Sequence, residues 1–156
     1  MVKYPAEVLR QKAVAVERVN KELRQFAEEM VRAMRSANGI GLAAPQLGRA
    51  VRLTISAAGG KPRAFFNPEI VASEGEQVGL EGCLSLPGLY GDVKRAAKVR
   101  VRFVDEDNRV REETFEDLEA RVMQHEIDHL DGVLFIDRVA VETLHWEWPL
   151  GARDSA

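Results

Sequence analysis

"QHEIDHLDG", residues 124–132, decides how this chain is read. Two of the three histidines, His125 and His129, stand four residues apart, and Glu126 directly follows the first. The stretch closes a longer segment, "EDLEARVMQHEIDHLDG" (116–132), with acidic residues in its first turn and Gly132 as a stop. That pattern predicts a helix. At ~100° per residue, His125 and His129 lie about 40° apart around it, and Glu126 falls about 60° beyond His129 on the same side. Leu118 and Val122 share that stripe. The two imidazoles and the carboxylate are therefore expected to point inward, toward a partly buried site.

This arrangement suits a metal. Two imidazoles one turn apart can bind a single ion, and a carboxylate that does not ligate it can act on the ion's water. By chance the pattern would arise on the order of once in a few hundred chains, and on a surface helix it would merely be solvated. A catalytic ion usually takes three protein ligands and leaves a position for water. Two candidates can complete the set, His145 and Cys83. His145 lies in a polar tail, where a solvated histidine is the plainer reading. Cys83 sits in "EGCLSLPG" (81–88), between glycine and a proline turn. A free cysteine is most often a small buried hydrophobe. Beside a two-histidine helix that lacks a ligand, the thiolate is the better reading. Two rivals stand next to it: a zinc endopeptidase with the same helix motif, and a peptide-binding module around a structural ion.

Upstream, "VNKELRQFAEEMVRAMRSANG" (19–39) carries Val19, Leu23, Phe26, Met30 and Met34 at helical spacing, with Asn38 and Gly39 as a stop. "VRLTISA" (51–57) alternates as a strand does. "RAFFNPEIVASEGE" (63–76) reads as short strands broken at Asn67-Pro68, and "QVGLEGCLSLPG" (77–88) as an extended, glycine-punctuated segment. "KVRVRFVDEDNRVREETFE" (98–116) turns at Asp107-Asn108 and returns as a hairpin. The tail from about residue 141, which includes Trp146 and Trp148, has weak periodicity and is expected to fray. Helix, many short strands, then helix implies an α+β domain. Its short antiparallel or mixed strands would pack around a central metal-binding helix, behind a long N-terminal helix.

The 156 residues suit one core. A net charge of −3, with both signs interspersed, offers no electrostatic case for nucleic acid or an anionic membrane. No apolar run approaches the ~20 residues that span a bilayer. "MVKYPAEVLRQK" lacks the apolar centre of a secretory signal. Cys83 is the one cysteine, which excludes an intrachain disulfide and fits a reducing compartment. The expected location is the cytoplasm.

Three segments, "GIGLAAPQ" (39–46), "EGCLS" (81–85) and "QHEIDHL" (124–130), resemble in order and wording the three signature motifs of the peptide deformylases. The resemblance runs from "YPAEVLRQKA" to "GVLFIDRV". It implies a single catalytic domain over 1–156 that removes the N-formyl group from formyl-methionyl nascent peptides and releases formate. It also implies one divalent ion held by Cys83, His125 and His129, with Fe2+ as the native metal and Zn2+, Ni2+ or Co2+ as substitutes. By the same resemblance Glu126 is the acid–base residue, and Gln46 and the backbone N–H of Leu84 receive the oxyanion. Ile40, Gly41, Gly82, Leu86, Leu89 and Tyr90 are the expected substrate contacts, with Gly39 and Gly41 letting substrate backbone approach. Glu81 and Asp128 are candidates to orient the ligands. The departures are Ala6 and Glu7 after Tyr4-Pro5, and Tyr90 where some members place an arginine. The tail has no long basic helix of the kind that docks some members on the ribosome. Any ribosome association is therefore expected to be transient, and the protein to be a monomer or weak dimer.

Overall fold

Helix α1 (Lys21–Ser36) buries Leu23, Phe26, Ala27, Met30 and Met34 along one stripe, in line with the spacing of its apolar residues. The helix is shorter than the predicted 19–39 because Asn20 caps it, its side chain accepting from the Leu23 N–H at 2.8 Å. It ends where Asn38 takes a left-handed φ of 57° and the Gly39 N–H returns to the Met34 carbonyl at 2.9 Å. The computed structural model describes residues 1–147. Trp148 and the end of the tail lie outside the described residues.

Among the described residues, eight strands follow in two sheets. The larger has the order β1 (Gly41–Ala43), β2 (Leu53–Ser56), β3 (Arg63–Glu74), β6 (Lys98–Val104) and β7 (Val110–Glu116). The smaller joins β4 (Gln77–Cys83), β5 (Leu86–Arg95) and β8 (His145–Trp146). Every strand pair is antiparallel. The hairpin over 98–116 forms as its alternation requires, with Asn108 at φ 61° in the turn. Two readings change. Residues 63–74 form one continuous strand rather than broken pieces. A register shift between Phe66 and Glu69 absorbs Pro68, and the Asn67 side chain pairs with the Val16 backbone at 2.7 and 2.8 Å. The second change is β5, which continues well past Pro87-Gly88 and makes β4 half of a hairpin. On β2 all four residues are buried, so its alternation does not mark an exposed face.

The reason is that the large sheet is covered on both faces at β2, whereas β6 keeps Arg100 and Arg102 exposed on one side. On one face, Leu53, Ile55 and Phe66 pack with α1. On the other, Phe65, Val99, Val101, Phe103 and Phe115 pack with Ala120, Met123 and Ile127 of helix α2 (Asp117–Leu130). Helix α2 ends in a reverse turn built on Gly132 at φ 74°, with Gly132 N–H to His129 O at 3.1 Å and Val133 N–H to Asp128 O at 2.9 Å. Leu118 is half exposed and is no anchor. The true anchors, Ala120, Met123, Ile127 and Leu130, lie on the opposite side of the helix from His125 and His129. The helix is thus buried nearly all round, its core face on the large sheet and its histidine face toward the small one. Among the described residues no helix is long and apolar enough to cross a membrane.

Candidate metal centre

The α2 face opposite the core carries His125, Glu126 and His129, which are 9%, 5% and 1% exposed. The β4–β5 hairpin brings Cys83 over them. One ligand atom each from Cys83, His125 and His129 falls within 4.8 Å of the others, the one such cluster among the described residues. Cys83 Sγ is 3.3 Å from His129 Nε2. A thiolate and an imidazole on one tetrahedral ion would stand ~3.5 Å apart, from bond lengths of about 2.3 and 2.1 Å. Beside this cluster, Glu126 Oε2 is buried with no hydrogen-bond partner. The donor set and the unpartnered oxygen fit a metal ion with a water within reach of the carboxylate. The other candidate ligand, His145, lies on β8, where its ring contacts the Thr143 carbonyl and Glu147.

His125 is oriented from behind, whereas His129 Nδ1 is buried with no hydrogen-bond partner. His125 Nδ1 is 2.8 Å from Glu81 Oε1, and its ring stacks on Phe135 at 6.3 Å. That leaves Nε2 for the ion. Glu81 is gripped by Arg95 Nε and Nη2, both at 2.9 Å, and by Arg121 Nη1. Burial alone would raise the Glu81 carboxyl, but Arg95 and His125 hold it well below the usual carboxylate range. Asp128 touches neither histidine: it bridges Arg95 and Arg138, each at 2.6 Å. Burial pushes the Glu126 carboxyl up to about 7, against the pull of His125.

Gln46 lies in the short turn after β1, 1% exposed. Its Oε1 accepts from the Ala43 N–H at 3.0 Å, so its amide nitrogen faces Ser85 Oγ at 3.2 Å and Cys83 Sγ at 3.6 Å. A cavity of about 630 Å³ opens beside the cluster. Ile40, Gly41, Gly82, Leu84 and Tyr90 line it, as do Gln46, Cys83, His125 and Glu126. Leu86 and Leu89 do not: they start β5, and Leu89 pairs with Trp146. Leu80, Leu118 and Val122 supply apolar wall instead. Two basic residues in the wall, Lys3 and Arg121, carried no signal in the sequence. Gly39 and Gly41 line the cavity and are also crowded by the protein's own groups. A side chain at Gly41 would collide with Glu126 and Val122, and one at Gly39 with Leu84. Their smallness admits the protein's own groups.

The sequence profile of the polypeptide deformylase family matches residues 1–144. The peptide deformylase of Caldanaerobacter subterraneus subsp. tengcongensis is 49% identical over 132 residues, covering 85% of this chain and 83% of that protein. That of Dictyoglomus thermophilum is 41% identical over 140 residues, covering 90% and 92%. Among solved structures, the peptide deformylase of Thermus thermophilus superposes with a TM-score of 0.86 at 45% identity, covering 90% of this chain and 85% of that one. The Synechococcus elongatus peptide deformylase in complex with actinonin gives 0.86 at 45%, covering 88% and 76%.

Proposed function

The chain belongs to the polypeptide deformylase family, metal-dependent hydrolases that remove the N-formyl group from the N-terminal methionine of nascent polypeptides, and we propose that here Cys83, His125 and His129 hold the ion, Fe2+ in the native enzyme. The observation that carries this is the convergence of one thiolate and two imidazoles within 4.8 Å, next to a buried carboxylate oxygen with no partner. Zn2+, Ni2+ and Co2+ suit the same donors.

When bound, the ion supplies Lewis acidity, making its water a better acid and polarising the formyl carbonyl. Glu126 accepts the proton of the attacking water and delivers it to the departing amine nitrogen. Its burial suits this exchange, since a carboxyl near neutral gives and takes a proton with little bias. Gln46 Nε2 and the Leu84 N–H donate to the charge that gathers on the formyl oxygen. The Ala43 N–H keeps the amide turned the right way. The methionine side chain lies in the cavity against Ile40, with Leu80, Leu118 and Val122 as further wall. Processing is co-translational in the cytoplasm, by a monomer or weak dimer that visits the ribosome transiently.

Anaerobically purified protein, assayed with formyl-Met-Ala-Ser and its unformylated counterpart, tests the reading. Formate is expected from the first alone, with one equivalent of iron per chain. Cleavage inside either peptide, or full activity in Cys83→Ala, would sink it.

A further inference from the structure

The two oxyanion donors sit on parts of the fold that no strand pairing joins. Gln46 follows β1 of the large sheet, and Leu84 lies between β4 and β5 of the small one. Their separation must be set by something else. The segment Val2–Tyr4 bonds to both in turn. The Val2 N–H donates to the Gln46 carbonyl at 2.7 Å, and the Tyr4 N–H to the Ser85 carbonyl at 2.9 Å. Between them, Lys3 Nζ donates to the Leu84 carbonyl at 2.9 Å.

Ser85 closes the circuit. Its hydroxyl is buried, donates its single proton to the Val2 carbonyl at 2.7 Å, and so can only accept from Gln46 Nε2 at 3.2 Å. With Ala43 occupying Oε1, both ends of the Gln46 amide are defined. One Nε2 proton is used on Ser85, and the other is directed at Cys83 Sγ, 3.6 Å away in the proposed metal centre, where a substrate oxygen would compete for it. We propose that Val2–Tyr4 is a clamp that fixes the distance between the Gln46 and Leu84 donors, with Ser85 and Lys3 as positioning residues. The proposal rests on the roles given above to Gln46 and Leu84. It adds that the chain's N-terminal segment acts in turnover through those two groups, without touching the reacting atoms.

The test is a double-mutant cycle on formyl-Met-Ala-Ser, with metal content measured for each variant. Ser85→Ala is expected to lower kcat about tenfold with KM within about twofold and metal retained, because a misaimed donor fails at the transition state rather than in binding. In a Gln46→Ala background the same change is expected to cost nothing more, since the group it positions is gone. A full additional loss there would mean that Ser85 acts on stability or elsewhere, and would overturn the clamp while leaving Gln46 catalytic. A Gln46→Ala enzyme at wild-type rate would overturn it through the role of Gln46 instead. Lys3→Met, at an exposed position, probes the other arm. A fall in kcat supports the clamp, and a rise in KM alone would make Lys3 a substrate contact and refute its part.

Discussion

Glu126 combines three properties that its proposed acid–base role needs: burial, an oxygen with no hydrogen-bond partner, and a place next to His125. Glu126→Gln keeps the shape and removes the proton traffic. It is expected to lower kcat by about 10²–10⁴-fold with metal stoichiometry unchanged, read from formate release and metal analysis. Loss of the metal together with the rate would instead give Glu126 a structural part. Gly41 is the second informative position. An added Cβ there meets Glu126 Oε1 at 2.7 Å and Val122 Cγ1 at 2.8 Å. Gly41→Ala should therefore cost more activity than stability, because the flexible carboxylate yields before the backbone does. An unchanged kcat would show that Glu126 tolerates displacement.

Helix α2 and the β4–β5 hairpin meet through Glu81, whose carboxylate joins His125 to Arg95 and Arg121. All these side chains are about a tenth exposed or less. Breaking such a buried pair from one side costs about 3–5 kcal/mol, because the remaining charges stay desolvated. Glu81→Gln is expected to lower unfolding stability by that order in urea, and to weaken metal affinity about 10–100-fold. A variant that loses stability but binds metal with wild-type affinity would deny Glu81 its role behind His125. On the other side of the helix, Met123 is fully buried against the large sheet. Met123→Ala should cost about 2–5 kcal/mol and leave kcat of the folded fraction intact.

For the molecule as a whole, the proposed ion and the N-terminal segment set the conditions of stability. A ligand that binds only the folded state raises stability with its concentration. Chelation is expected to abolish formate release and lower Tm together, and restored metal to recover both. Recovery of one without the other would separate the bound ion from the catalytic one. Near the N-terminus, Arg10 donates to both Asp137 oxygens and to the Gly132 carbonyl, tying the first turn to the segment after α2. The Arg10 hydrogen bond holds the Asp137 carboxyl below its ordinary range. Its folded pKa is thus below that of the unfolded chain. The contribution is complete above the unfolded value of ~3.9 and is lost as pH falls through the lower folded one. As pH falls below about 4, the urea midpoint of the wild type should fall more steeply than that of Asp137→Asn. Parallel profiles would remove this pair from acid sensitivity.

Features set within one turn or one hairpin were legible in the residues. The α1 stripe, the 98–116 hairpin and the His125–Glu126–His129 spacing depend on local periodicity, which the chain carries wherever it is placed. Cys83 was reachable because metal chemistry demands a third ligand and the motif wording supplied it. What escaped depends on contacts between distant segments. Leu118 looked like an anchor beside the buried Val122 because a helical stripe does not say which neighbour it faces, and α2 turned out to have neighbours on both sides. Gly39 and Gly41 read as room for substrate and do line the cavity, but their crowding by Leu84 and Glu126 exists only after packing. The arginine pair behind Glu81 and the Val2–Ser85–Gln46 circuit join residues 14 to 83 positions apart. Hydrogen bonds over such separations are selected by the shape of the assembled core, and no local pattern encodes them.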